Sequence, residues 1–164
     1  MIRSILCFML SLLLFGCDKD GNLLQEPGLD RLQRGVSSEG DVRSVMGAPD
    51  RVYEDSDGTR ALQYPKGPAG TRTWEFLIGR DGRLVDYRQL LTEENFARIK
   101  PGMTREEVHR ILGRERKIER YARKNEEVLD WRYLSPFGEQ FFNVHFDIST
   151  GRVTGTSSQD ARNY

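Results

Sequence analysis

The residues best equipped for chemistry are few. The 164-residue chain has two cysteines, Cys7 and Cys17, and two histidines, His109 and His145. A structural zinc site wants four N or S donors, and Cys7 sits inside an apolar run, so a metal centre is not expected. Nucleophilic catalysis needs a hydroxyl or thiol beside a base that a third group holds in place. His109 falls on the polar side of a helical pattern, next to Arg110, where a solvated imidazole is expected. His145 alternates with Val144 and Phe146 in a strand pattern, so it should point away from their core and be free to meet a partner. Glu106 and Glu107 could pair as acid and base. Both stand at a helix start, however, where the macrodipole favours carboxylates and a capping role accounts for Glu107. Gly67-Pro68-Ala69-Gly70 joins two strand patterns, which makes it a turn and not a phosphate cradle. These residues point to a chain that is not an enzyme and uses no cofactor or small-molecule substrate.

Charge and cysteine usage narrow the partners. Arg3 is the only charged residue before Cys17, so loss of the leader reduces 25 basic side chains to 24 against 25 acidic ones, a net of −1. No basic excess is left to neutralise nucleic acid or to grip anionic lipid. Residues 5–15 are an apolar core, Ile5-Leu6-Cys7-Phe8-Met9-Leu10-Ser11-Leu12-Leu13-Leu14-Phe15, behind a short Met-Ile-Arg start. As a helix this run reaches roughly 17 Å, well short of the ~30 Å bilayer interior, which is the pattern of a signal peptide. Its end, Leu14-Phe15-Gly16-Cys17, resembles a bacterial lipobox. That resemblance implies cleavage between Gly16 and Cys17 and diacylglycerol on the Cys17 sulfur, in a mature chain with no other thiol. More than one acyl chain is what makes such an anchor stable. The expected layout is a signal peptide at 1–16 and a polar tether at 17–27.

The elements that would carry any site come in two copies. Val42-Arg43-Ser44-Val45-Met46-Gly47 matches Val108-His109-Arg110-Ile111-Leu112-Gly113 at an offset of 66 residues. Leu62 and Tyr64 fall on Leu129 and Trp131 at 67. Trp74, Phe76 and Ile78 fall on Phe142, Val144 and Phe146 at 68, and Gly82-Arg83-Leu84 on Gly151-Arg152-Val153 at 69. An offset that drifts by single residues is what insertions in turns produce. Thr104 with Glu107 is a capping box, Ser38 with Asp41 fills that role less well, and Gly47 and Gly113 close the two helices. The strand runs alternate with period two. Each copy, 28–89 and 92–158, thus predicts helix–helix followed by three or four antiparallel strands, with a tail at 159–164. The fold class is α+β in tandem, and a unit of about 60 residues, marginal alone, should pack against its neighbour, by one reading as a continuous sheet.

In this context Ile99-Lys100-Pro101-Gly102-Met103-Thr104-Arg105-Glu106-Glu107-Val108, then Ile111-Leu112-Gly113, resembles the SmpA/OmlA (BamE-like) lipoprotein family. Leu129-Asp130-Trp131-Arg132-Tyr133, Val144-His145-Phe146-Asp147 and Gly151-Arg152-Val153 continue the likeness. Copy two matches well and copy one more loosely. The tandem arrangement departs from that family and is similar to the β-lactamase inhibitor protein. These resemblances imply a lipoprotein of the bacterial cell envelope, facing the periplasm, with the outer membrane favoured over the inner. Asp18 argues for inner-membrane retention and Lys19 against it. The implied function is non-catalytic binding or scaffolding of an envelope protein, the β-barrel assembly machine being one such partner, with a part in outer-membrane protein assembly or envelope maintenance. The alternative is an inhibitor that binds a periplasmic or secreted enzyme through its sheet face. Either way the expected contact residues are Glu75, Leu77, Arg132, Phe141, Asn143 and His145, on the strand faces opposite the predicted core.

Overall fold

The computed structural model describes residues 26–161. The predicted signal peptide, the cleavage point at Gly16, the lipid site Cys17 and most of the tether lie outside these residues. Residues up to Arg31 form a separate small unit, of which the described part contains a 3₁₀ turn at Leu29–Arg31. Everything that follows concerns the unit beginning at Leu32.

This unit holds α1 (Glu39–Met46), β1 (Arg51–Glu54), β2 (Arg60–Pro65), β3 (Thr73–Ile78) and β4 (Leu84–Gln89). The pattern then recurs as α2 (Glu93–Phe96), α3 (Arg105–Leu112), β5 (Lys117–Tyr121), β6 (Glu126–Ser135), β7 (Gly138–Asp147) and β8 (Arg152–Asp160). The fold is α+β, with two antiparallel four-stranded meanders, β1-β2-β3-β4 and β5-β6-β7-β8. They are separate sheets and not one continuous sheet. The last strand runs to Asp160, two residues into the segment expected to be a tail.

The helices start and stop for the same local reasons in both copies. Ser38 and Thr104 each accept from the backbone N–H three residues on, and Asp41 and Glu107 reach back to complete the box. The copy-one box, expected to be weaker, is complete because Asp spans the same gap as Glu. Each helix ends on a glycine at positive φ, Gly47 at 84° and Gly113 at 75°. The segment entering each helix is stitched to the last strand of its own copy. In the first the Gly35 N–H donates to the Leu84 carbonyl and the Leu84 N–H to the Ser37 carbonyl. In the second the Gly102 N–H donates to the Val153 carbonyl and the Val153 N–H to the Met103 carbonyl.

Strand pairing then sets the faces. Leu62, Phe76, Ile78 and Leu84 are wholly buried on the inner face of the first sheet, and Val42 of α1 is equally inaccessible. In the second copy Leu129, Trp131, Phe142, Val144 and Phe146 pack with Val108 and Leu112 of α3 and with Phe96 of α2. Phe96 stacks on Phe142 at 4.2 Å between ring centroids. Burying such side chains contributes roughly 1.5–3 kcal/mol each.

Candidate functional site

The face of each sheet opposite its core has a different fate in the two copies. On the first sheet it carries the cross-strand row Gln63, Glu75 and Arg88. The Gln63 amide donates to Glu75 Oε2 at 3.1 Å and to the Arg110 carbonyl of α3 at 3.2 Å. Arg88 donates to Glu75 Oε1 through Nε at 2.9 Å and Nη2 at 2.6 Å. Glu75 is only 3% exposed, and a carboxylate at that depth is tolerated because both oxygens are bonded and one faces a guanidinium. Around this row α3 of the second copy is clamped down. Arg110 pairs with Asp55 and lies 4.8 Å over the Tyr53 ring, and Glu106 meets Arg51 at 3.0 Å. A cavity of about 310 Å³ remains beneath the helix, with Ala61, Leu77, Met103 and Ile111 in its wall.

The second sheet has the equivalent row in Asp130, Asn143 and Ser157. Among the described residues no helix lies across it. One end is covered by the β2–β3 loop. Arg116 binds both oxygens of Asp130, at 2.6 and 2.7 Å, and lies 4.5 Å over the Phe141 ring. A Cβ on Gly67 would stand 3.7 Å from the Arg116 backbone, and Arg132 donates to the Ala69 carbonyl at 3.2 Å. The other end stays open. There His145 sits between an acid and a hydroxyl, with Nδ1 2.8 Å from Glu126 Oε1 and Nε2 2.8 Å from Ser157 Oγ. Asn143 Nδ2 stands 3.4 Å from the same hydroxyl. Ser157 and Tyr121 are exposed, and the side chains of His145 and Glu126 are each a little over one quarter exposed.

A carboxylate, an imidazole and a hydroxyl in line can relay a proton. Acyl transfer also needs donors aimed at the developing oxyanion in a site that excludes water. Here the Asn143 amide is a nearby side-chain donor, and the group lies on an open part of the sheet. Three polar groups bonded to one another are thereby presented together at the open end of this sheet face. Among the described residues no three His, Cys, Asp or Glu side chains converge as a metal site requires.

The six contact residues expected from the sequence are therefore split. Glu75 and Leu77 lie under α3, where no outside partner can reach Glu75. Phe141 and Asn143 point away from the core but are 6% and 7% exposed, Phe141 with the Arg116 guanidinium over its ring. Arg132 and His145 remain half-buried on the open sheet, Arg132 paired with Glu139. Glu126 and Ser157 were not singled out in the sequence. The offset of 69 that sets Arg83 on Arg152 also sets Arg88 on Ser157, which was the available signal. His109 is a correction, for it is 4% exposed and not solvated. The chain turns back after Gly113 and brings Glu115 to 2.6 Å from His109 Nε2. Burial pushes the Glu115 carboxyl up, but the His109 hydrogen bond, a backbone bond and the charges of His109 and Arg105 outweigh it, holding the group below the ordinary glutamate range.

No family model and no curated protein sequence matches the chain. Among solved structures it is similar to a candidate β-lactamase inhibitor protein from Streptococcus mutans, at 13% identity and a TM-score of 0.32, over 76% of this chain and 83% of that one. It is similar to an extracellular protein containing an SCP domain from Bacillus anthracis, at 14% identity and a TM-score of 0.32. There it spans 87% of this chain but about half, 48%, of the other. A DUF4309 family protein from Bacillus subtilis gives 21% identity and a TM-score of 0.30 over 77% and 80% of the two chains. The resemblance to the SmpA/OmlA family rests on its motif residues alone.

Proposed function

We propose that the chain is a lipid-anchored protein of the bacterial envelope whose second sheet binds, without catalysis, a helix presented by a protein partner. The observation that supports this is internal to the molecule. One sheet face is closed by α3, and the equivalent face of its twin is open beside His145. A partner helix crossing Val128, His145 and Ser157 would reproduce the packing that α3 makes over Ala61, Leu77 and Arg88. Anchoring through Cys17 would keep this face among envelope proteins, where barrel assembly or envelope maintenance is the setting the motif resemblance suggests.

The test is site-specific photocrosslinking in intact cells. A benzophenone side chain at position 145 or 157 should capture a discrete partner, and one at position 77, under α3, should not. With the probe at 157, a His145→Asp substitution should remove the captured band. Equal capture at 77 and 145, or none at 145, would sink the reading. Recovery of barrel-assembly components would place the chain in outer-membrane assembly. A single enzyme inhibited one-to-one would favour the inhibitor alternative. A fluorophosphonate probe should leave Ser157 unlabelled, and stoichiometric labelling abolished by His145→Ala would overturn the non-catalytic part. Fatty-acid labelling lost on Cys17→Ser tests the anchor.

A further inference from the structure

The most solvent-exposed large apolar side chain among the described residues is Phe137, at 85%, and Leu134 is 54% exposed beside it. Both sit at the tip of the β6–β7 hairpin, Leu134 near the end of β6 and Phe137 in the turn beside exposed Pro136. The hairpin outreaches its neighbours. β5 pairs no further than Asp130 and β8 no further than Gln140, whereas β6 and β7 stay paired to Ser135 and Gly138. At about 3.4 Å per residue the tip stands roughly 7 Å beyond the end of β8.

The backbone of this tip is prepared to lose water. Pro136 has no N–H. The Phe137 N–H donates to Ser135 Oγ at 3.1 Å, and that hydroxyl donates in turn to the Gly138 carbonyl at 2.9 Å. Desolvating this turn leaves no donor stranded at Pro136 or Phe137, which lowers the penalty for entering the interfacial layer, where the turn carbonyls still meet water. The nearest charges, Arg132 and Glu139, are paired with each other at the base of the turn.

We propose that Leu134, Pro136 and Phe137 are a second membrane contact, entering the interfacial layer of the bilayer to which the chain is anchored; this rests on the anchor reading above. A convex prong whose backbone N–H at the apex is already bonded suits a fluid surface, which needs no complementary pocket. The mature chain has no basic excess to hold it to lipid by charge, so apolar insertion is the contact left to it. The 15 residues from Cys17 to Arg31 cannot span more than about 50 Å. That short leash makes the local lipid concentration high enough for two side chains to suffice.

The experiment uses the chain from Cys17 onward carrying Phe137→Trp. It is coupled through its sole thiol to phosphatidylcholine vesicles bearing a maleimide lipid, so that enzymatic acylation is not required. Trp74 and Trp131 are 7% and 1% exposed and give a constant background. The added indole should shift to shorter wavelength on coupling, be quenched by brominated acyl chains and become shielded from aqueous iodide. In the same chain Leu134→Ser should weaken the shielding several-fold. In a companion chain whose reporter is Leu134→Trp, Phe137→Ser should reduce the shielding by roughly tenfold or more, as the loss of one buried aromatic implies. An indole that keeps its water-exposed emission and escapes brominated lipid on coupled vesicles overturns the proposal. So does burial that occurs only when solubilised envelope proteins are added. Failure of the anchor reading would show separately, as the absence of acyl mass on Cys17 in the chain purified from cells.

Discussion

At the scale of the residue, the two histidines show how far spacing alone can mislead. Both lie at polar positions of their periodic patterns, and only His145 faces the side that its pattern indicates. His109 is buried because the chain turns back after Gly113 and Glu115 folds against the end of α3. No periodicity encodes that return. The pair gives a pH prediction whose sign is fixed by the direction of the Glu115 shift. A carboxyl held below its ordinary range stabilises the fold while ionised, fully above its unfolded pKa of about 4.3, and loses that contribution as pH falls through the folded value. Glu115→Gln should therefore lower the urea midpoint at pH 7, and the gap from wild type should close below about pH 4. A gap independent of pH would show that the side chain acts through packing alone.

At the scale of the element, the capping boxes and closing glycines were legible because they are local. Each is a short string whose side chains bond the backbone beside them. Thr104→Ala and Ser38→Ala should each cost about 1 kcal/mol, read as lowered denaturation midpoints. The two C-terminal glycines look alike in sequence but differ in surroundings. Both lie near ψ of ±160–170°, a region essentially reserved for glycine, where another residue costs about 1–3 kcal/mol. A Cβ on Gly47 would meet nothing within 4 Å, whereas one on Gly113 would come within 2.5 Å of Thr73 Cγ2. Gly113→Ala should therefore destabilise clearly more than Gly47→Ala in parallel melts. Equal losses would remove the steric contact between the copies from the account.

At the scale of the molecule, the drifting offsets of 66 to 69 give both copies, the strand faces and the core positions, because repeated residues must serve repeated packing. They do not show which sheet face is covered. Arg110 reads as a solvated position of α3, yet it is its backbone carbonyl that accepts from Gln63, and Ile111 and Met103 serve the cavity wall as well as the second core. Contacts of this kind lie between copies and leave no period in either. They carry a consequence for truncation. A fragment of residues 26–91 would expose Glu75 and Gln63 without α3 and bury little of its surface. It should show no cooperative urea transition by circular dichroism, while the whole chain shows one. A fragment that melts sharply would mean the first copy is self-sufficient.

The double engagement of α3 also governs how the molecule breathes. Its apolar stripe is held by the second core and its opposite side by the first sheet, so fraying at either end of the chain does not release it. The hydrogen-bonded amide protons of its last turn, from Val108 to Leu112, should reach deuterated solvent only when both halves come apart together. Isotope uptake along the chain should therefore find its slowest amides in this eight-residue segment, ahead of strands that are longer and more richly paired.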